Sequence, residues 1–336
     1  MIDLASAKAR VRAFYRDLDA AAPGESAAAM EPHLAADYLW RGMHPFDTQH
    51  GAKDAAKTFW DPLKRAMGPL QRRPDIFFAG PNQIDGWQST WVVEMGHMMG
   101  LWDAPWLGIA PSRKIGFLRY CEFHRIEDDR IVETACYIDF LNLLAQDNRS
   151  PIANTTGLVT LSPGPRTHDG LLYDERPEAD GKATVELIAA MVAELRGGGL
   201  TSPNDHLGKF WTPDMGWYGP GGIGASAFYK GYNRGHTDPF ETELEFEGFT
   251  EHVARLGEGH YGGFFGYPSI TLRSKGYLGQ PPSDVAGDMR IVDLYRREGD
   301  KLAENWIFID LPHFFQAQGI DLLGHAAGSI SAGAKT

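Results

Sequence analysis

The sequence predicts an α+β protein built from two tandem copies of one domain, and three observations carry that prediction. The first is an internal repeat. Phe123 to Asp139, FHRIEDDRIVETACYID, aligns without a gap on Leu294 to Asp310, LYRREGDKLAENWIFID. Arg125, Glu127, Asp129, Glu133, Ile138 and Asp139 recur as Arg296, Glu298, Asp300, Glu304, Ile309 and Asp310. Leu107-Gly108-x-x-Pro111 recurs at the same offset as Leu278-Gly279-x-x-Pro282. Trp40-x-Gly42 recurs as Trp217-x-Gly219, and Gly51-Ala52 is aligned with Gly224-Ala225. The second observation is order: helical periodicity opens each copy and strand-like runs close it, which argues for segregated helices and antiparallel strands rather than repeated strand–helix units. The third is size: 336 residues with 43% hydrophobic and 23% charged content suit about two globular domains.

The elements follow in chain order. Val11, Phe14, Tyr15 and Leu18 share one helical face, as do Val185, Ile188, Met191, Val192 and Leu195 in the second copy. Phe59, Leu63 and Met67 mark a further helix after the Trp-x-Gly segment. Trp87 to Met95 and Lys114 to Ile126 read as strands. The expected boundaries are residues 1–146 for domain one, 147–182 for a Pro/Gly-rich linker, 183–323 for domain two and 324–336 for a flexible tail.

The turn Glu127-Asp128-Asp129-Arg130 separates two alternating runs and predicts a β-hairpin. Pairing Ile126 with Ile131 places Tyr120, Glu122, His124, Glu133, Tyr137 and Asp139 on one face, unusually polar for mid-strand positions. Cys121 then faces Cys136; because the second copy has Val292 and Ile307 there, two buried thiols are expected rather than a disulfide. Asp139 and Asp310 each end an apolar run. Such a carboxylate has a raised pKa suited to proton transfer, or caps the helical turn that follows it; position alone leaves both readings open.

With a formal charge of −12, the surface repels phosphate backbones, so no nucleic-acid partner is expected. No apolar run is long enough for a membrane span, the N-terminus does not read as a secretory signal, and two cysteines suit a reducing compartment; a cytoplasmic location is expected. Gly219-x-Gly221-x-x-Gly224 has dinucleotide-loop spacing but lacks the surrounding strand and helix. No His or Cys pair has zinc-site spacing. Neither a metal nor a cofactor is expected.

Trp-x-Gly, a Gly-x-x-x-Ala before a helix, Trp-Leu-Gly-x-x-Pro, and Phe-His-Arg-x-x-Asp-x-x-Ile-Val-Glu closing on Asp139 together resemble the SnoaL-like polyketide-cyclase family of the NTF2-like superfamily. The resemblance covers roughly residues 5–146 and 183–323. It implies two cones, each a curved antiparallel sheet wrapped over helices around an apolar pocket, packed as an internal pseudo-dimer, with a homodimer of whole chains as a further option. It implies metal-free acid/base chemistry of cyclase, isomerase or dehydratase type on a small apolar or aromatic ligand. The alternative is a non-catalytic ligand-binding or scaffold protein. The terminal-strand Asp of the pattern falls on Asp139 and Asp310. The His-Trp of that strand is replaced by Thr134-Ala135 and Asn305-Trp306.

On this basis copy one, with the richer polar face, is expected to hold the working pocket. Asp139 is its acid or base, partnered by Tyr120, Tyr137 or His44. Trp40, Glu122, His97 and Trp106 in copy one, and Asp310, Trp306, Asp293 and Trp217 in copy two, are expected to contact ligand.

Overall fold

The computed structural model of the chain describes residues 3–197 and 204–333. Domain one opens with α1 (Leu4–Ala20), capped by Asp3, whose side chain accepts from the Ser6 N–H. Its buried face is Ala7, Lys8, Val11, Phe14, Tyr15 and Leu18, the expected stripe. There follow α2 (Ser26–Met30), β1 (Leu34–Gly42), β2 (Thr48–His50), α3 (Gly51–Ala55) and α4 (Asp61–Met67), then β3 (Gln71–Pro81), β4 (Thr90–Leu101), β5 (Ile115–Glu127), β6 (Arg130–Ile138) and α5 (Phe140–Ala145). Domain two repeats the plan with α6 (Glu178–Arg196), α7 (Asn204–Phe210), β7 (Trp211–Tyr218), β8 (Ala225–Ala227), α8 (Phe228–Tyr232), α9 (Asp238–Glu243), β9 (Leu244–Phe249), β10 (Ala254–Glu258), β11 (Tyr261–Ser274), β12 (Gly287–Glu298), β13 (Lys301–Ile309), α10 (Leu311–Ala317) and α11 (Leu322–Gly333). A π-helical turn joins α3 to α4 over Ala56–Trp60, and its counterpart joins α8 to α9 over Asn233–Thr237.

The two sheets correspond, with β9 and β10 of the second together standing where the first has β3. One runs β2-β1-β6-β5-β4-β3 and the other β8-β7-β13-β12-β11-β10, with β9 also paired to β11. The sheets are mixed rather than purely antiparallel: β1 joins β6, and β7 joins β13, in parallel. Each of these strands enters after the opening helices and closes the sheet beside its last strand.

Three expectations are corrected. Arg41 pairs with Thr48 and Tyr218 with Ala225, so the short strand β2 matches β8 and Asp47 matches Gly224; Gly51 does not. The linker is shorter than expected, because α6 already begins at Glu178. Residues 324–333, most of the expected flexible tail, belong to a helix that starts at Leu322 and buries Ala326, while 334–336 lie outside the described residues. The linker wraps both domains. Leu171 bridges to Phe77 and Leu158 to Ala225, and the Trp306 indole donates to the Pro163 carbonyl.

A bulge decides which hairpin residues face inward. Ile126 pairs with Ile131 as expected, but Arg125 pairs with Glu133, leaving Val132 as the extra residue. Copy two has the same irregularity, with Arg296 opposite Glu304 and Arg297 opposite Leu302. One residue of slip exchanges the faces of the rest of the strand. Tyr120, Glu122 and His124 therefore share the inner face with Thr134, Cys136 and Ile138. Tyr137 and Cys121 lie opposite each other on the outer face. Cys121 and Cys136 thus point to different sides of the sheet, and both are buried free thiols. Thiol titration is expected to give two reactive groups after denaturation and almost none in the native protein; a fully oxidised pair in unreduced protein would refute this.

The outer faces of the two sheets pack together. Phe265 lies 5.0 Å from Phe123 and 5.4 Å from Trp91, centroid to centroid, and the Arg119 guanidinium lies 4.1 Å from the Phe308 ring centre. The edges meet where β3 and β10 cross. A Cβ on Gly80 would stand 2.7 Å from the Gly257 carbonyl oxygen, so only glycine admits that approach.

Candidate functional site

Domain two holds a cavity of about 140 Å³ between its sheet and its helices. β12 and β13 supply Ile291, Asp293, Tyr295, Ile307 and Ile309 from their concave faces. α6 contributes Val192 and Leu195, while the α8–α9 segment contributes Tyr232, His236, Thr237 and Phe240. Phe249, His252, Phe264, Ser269 and Ile270 complete most of the wall, with Arg196 at its margin.

Asp293 is the one carboxylate among the described residues lining this space. Asn305 Nδ2 donates to its Oδ1 at 2.9 Å and the Tyr295 hydroxyl is a second partner. Burial outweighs both and pushes the carboxyl up to about 7. The two imidazoles are neutral. Burial depresses His236 to about 4, and burial together with Arg255 and Arg196 depresses His252 to about 3. Aromatic stacking sets their planes: His236 lies 4.3 Å from Trp217 and His252 3.9 Å from Phe264. Nδ1 of His236, Nδ1 of His252 and Oγ of Ser269 are buried without a hydrogen-bond partner among the described residues. An apolar wall, one protonatable carboxylate and three unpartnered polar atoms form a site able to orient a small polar-headed ligand and exchange a proton with it.

The raised carboxyl has a stability consequence. Between about pH 4 and pH 7 the native state keeps a proton on Asp293 that the unfolded chain has already released. Stability therefore falls as pH rises through this window. Asp293→Asn is expected to flatten that decline, gaining up to about 4 kcal/mol relative to the parent at pH 8. Urea unfolding at pH 5 and pH 8 measures it, and an unchanged slope would contradict the assignment.

Domain one fills the equivalent space with its own charges, contrary to the expectation that copy one carries the pocket. Arg72, from β3, donates to Glu122 Oε2 at 2.9 Å and to Glu94 Oε1 at 3.4 Å. Its guanidinium lies 3.8 Å from the Tyr15 ring centre and 4.9 Å from that of Tyr120. The Tyr120 hydroxyl donates to Glu94 at 2.6 Å. Burial pushes Glu94 up to about 7 against the pull of Arg72. His124 bridges Tyr15 and Thr134 through its two ring nitrogens and is held near 3 by burial and Arg72. Tyr120 and Glu122 are thus members of a buried charged network, in which Glu122 Oε1 has no hydrogen-bond partner among the described residues.

The other expected residues do not join them. Asp139 caps α5 at the domain interface, accepting from the N–H groups of Asn142 and Gly221, each at 3.0 Å. Arg119 Nη1 stands 3.7 Å from it. Asp310 mirrors this arrangement. It accepts from the N–H of His313 at 3.2 Å and of His44 at 2.8 Å, with Arg290 at 3.4 Å. Burial raises both carboxyls and the arginines oppose it. The capping reading of these aspartates fits their geometry. The Tyr137 hydroxyl donates across the interface to the Gly266 carbonyl at 2.9 Å. His97 lies 3.4 Å from Asp75. Trp40 packs on Phe59 and Trp106 on Phe140 in the domain-one core. Trp306 stacks on Tyr218. Asp293 lines the cavity, and Trp217 supports it from beneath His236.

Sequence reasoning missed His236, His252, Tyr232, Ser269 and Asn305. Only Asn305 carried a signal, as the polar residue standing before Trp306 in the last strand.

The fold resembles solved structures. A candidate SnoaL-like polyketide cyclase from Jannaschia sp. CCS1 aligns at 15% identity over 42% of this chain and 90% of its own, with a TM-score of 0.35. An NTF2-like protein from Burkholderia thailandensis E264 aligns at 19% identity over 44% of this chain and 98% of its own, with a TM-score of 0.32. A candidate polyketide cyclase from Streptomyces antibioticus aligns at 14% identity over 41% of this chain and 95% of its own, with a TM-score of 0.33. The chain is similar in fold to SnoaL-like and NTF2-like proteins. No protein-family profile and no curated protein matches it. At such identities the likeness concerns fold alone. Among the described residues no helix is long and apolar enough to cross a membrane.

Proposed function

We propose that domain two is a small-molecule acid/base enzyme of cyclase, isomerase or dehydratase type, with Asp293 as the group that moves the proton. The observation that carries the reading is the solitary carboxylate in a largely apolar cavity, its pKa of about 7 matched to proton transfer at neutral pH. Size bounds the substrate: an apolar cavity of about 150 Å³ accepts a benzene-sized ring, so a single-ring carbonyl compound fits. Ionised Asp293 takes a proton from the carbon beside the carbonyl. The oxygen of the resulting enolate is stabilised by neutral donors of the wall, for which His236, His252, Ser269 and Tyr232 are available. The reprotonated carbon leaves Asp293 ready for another cycle.

Solvent exchange provides the test. Cyclohexanone and 2-cyclohexenone are incubated with the protein in D₂O, and loss of the α-proton signal is followed by NMR. Exchange well above the buffer rate that disappears in Asp293→Asn supports the enzyme. Saturable binding of these ketones with no exchange above buffer supports the non-catalytic ligand-binding alternative and rejects the catalytic reading.

A further inference from the structure

The β1–β2 loop of domain one and the first turn of α10 bring together two imidazoles and a carboxylate. One ligand atom each from His44, Asp47 and His313 lie within 4.8 Å of one another, all three residues being half-buried. We propose that these residues form a binding site for a divalent transition-metal ion of the Zn²⁺, Co²⁺ or Ni²⁺ kind, linking the two domains.

Three observations support the site. The backbone of both histidines is held by one carboxylate, since the main-chain N–H groups of His44 and His313 donate to the two oxygens of Asp310. Among the described residues no hydrogen bond reaches either imidazole ring, so their nitrogens are available to an ion. The pseudo-symmetry of the chain supplies a comparison. At the other corner of the interface, the positions of His44, Asp47 and His313 are taken by Gly221, Gly224 and Asn142. There the loop closes with the same bonds: Gly224 N–H to the Pro220 carbonyl matches Asp47 N–H to the Met43 carbonyl. The loop therefore folds without the three side chains, and their convergence at one corner only is surplus to the fold.

The surrounding charges are mixed, with carboxylates outnumbering the one arginine. Asp47, Asp310, Asp288 and Asp321 act on this corner against Arg290. Arg290 engages Asp47 Oδ1 at 2.7 Å, and Oδ2 remains for an ion. Two nitrogens and one oxygen suit a borderline ion, and partial exposure leaves water to complete the tetrahedron. No spacing signal marks these ligands in the chain, because they come from both domains.

The test titrates the untagged full chain with Co²⁺, followed by visible absorption, with Zn²⁺ competition against a chromophoric chelator. One Co²⁺ per chain, displaced by Zn²⁺, is expected, with affinity falling at least about tenfold in His313→Ala and in Asp47→Asn. One equivalent of Zn²⁺ should raise the melting temperature of the parent and leave that of His44→Ala/His313→Ala unchanged. If the double variant does not fold, Asp47→Asn, which keeps both histidines, decides alone. Absence of stoichiometric uptake, or uptake unaffected by these substitutions, overturns the proposal.

Discussion

Asp293→Asn is expected to lower α-proton exchange at least about a hundredfold in kcat/KM, the scale of a lost general base, while ligand affinity changes little. The substitution keeps volume and the acceptor that Asn305 Nδ2 uses, and removes only the capacity to take a proton. Tyr295, the second partner, remains in place. Asp139→Asn, at the domain interface, should leave exchange within a few-fold of the parent when the two are compared at equal folded fraction. If Asp139→Asn abolishes exchange and Asp293→Asn does not, chemistry resides in the other domain and the cavity assignment fails.

Asp139→Ala is expected to cost about 3–5 kcal/mol of stability, the range for stranding one partner of a buried ion pair. Arg119 is 1% exposed and keeps carbonyl partners at Tyr218, Gly219 and Ile307. Without Asp139 its charge has no counterion within 4 Å among the described residues. The substitution also removes the cap of α5 and the acceptor for the Gly221 N–H. Chemical denaturation of parent and variant measures the loss. A loss below about 1 kcal/mol would mean that solvent enters and screens Arg119. Asp139→Asn should fall between them, since an amide oxygen still accepts from the backbone.

These two outcomes mark where the sequence was readable. The repeat was legible because identical residues at a fixed offset need no knowledge of packing, and the opening helices because burial writes a period of 3.6 into them. The polar inner face of copy one was legible as Tyr120, Glu122 and His124. Its meaning was not, because Arg72 reaches it from β3 and Asp19 joins from the end of α1. Such distant pairings leave no local pattern. The hairpin was correct as far as Ile126 and Ile131. The bulge at Val132 then moved Tyr137 away from Tyr120, and a bulge inside a regular alternation has no compositional mark. His236 sits in a π-helical turn and His252 in a loop, where no periodicity exists to aim a side chain.

The N-terminal helix has a debt to the far end of the chain. Lys8, 1% exposed, donates to Glu258 at 2.8 Å and to the carbonyls of Leu172 and Asp174 in the linker. These contacts span up to 250 residues. At roughly 5–20 residues per second, a ribosome needs on the order of 10–50 s to bring Glu258 out after Lys8. Through that interval the nascent first domain carries an ammonium without its counterion, and Arg119 and Asp139 await partners in a loop not yet made. Its outer sheet face, with Phe123 and Trp91, is meanwhile open to solvent. Until its own later copy arrives to cover it, the early half of this chain lacks the partners that bury these groups in the finished fold.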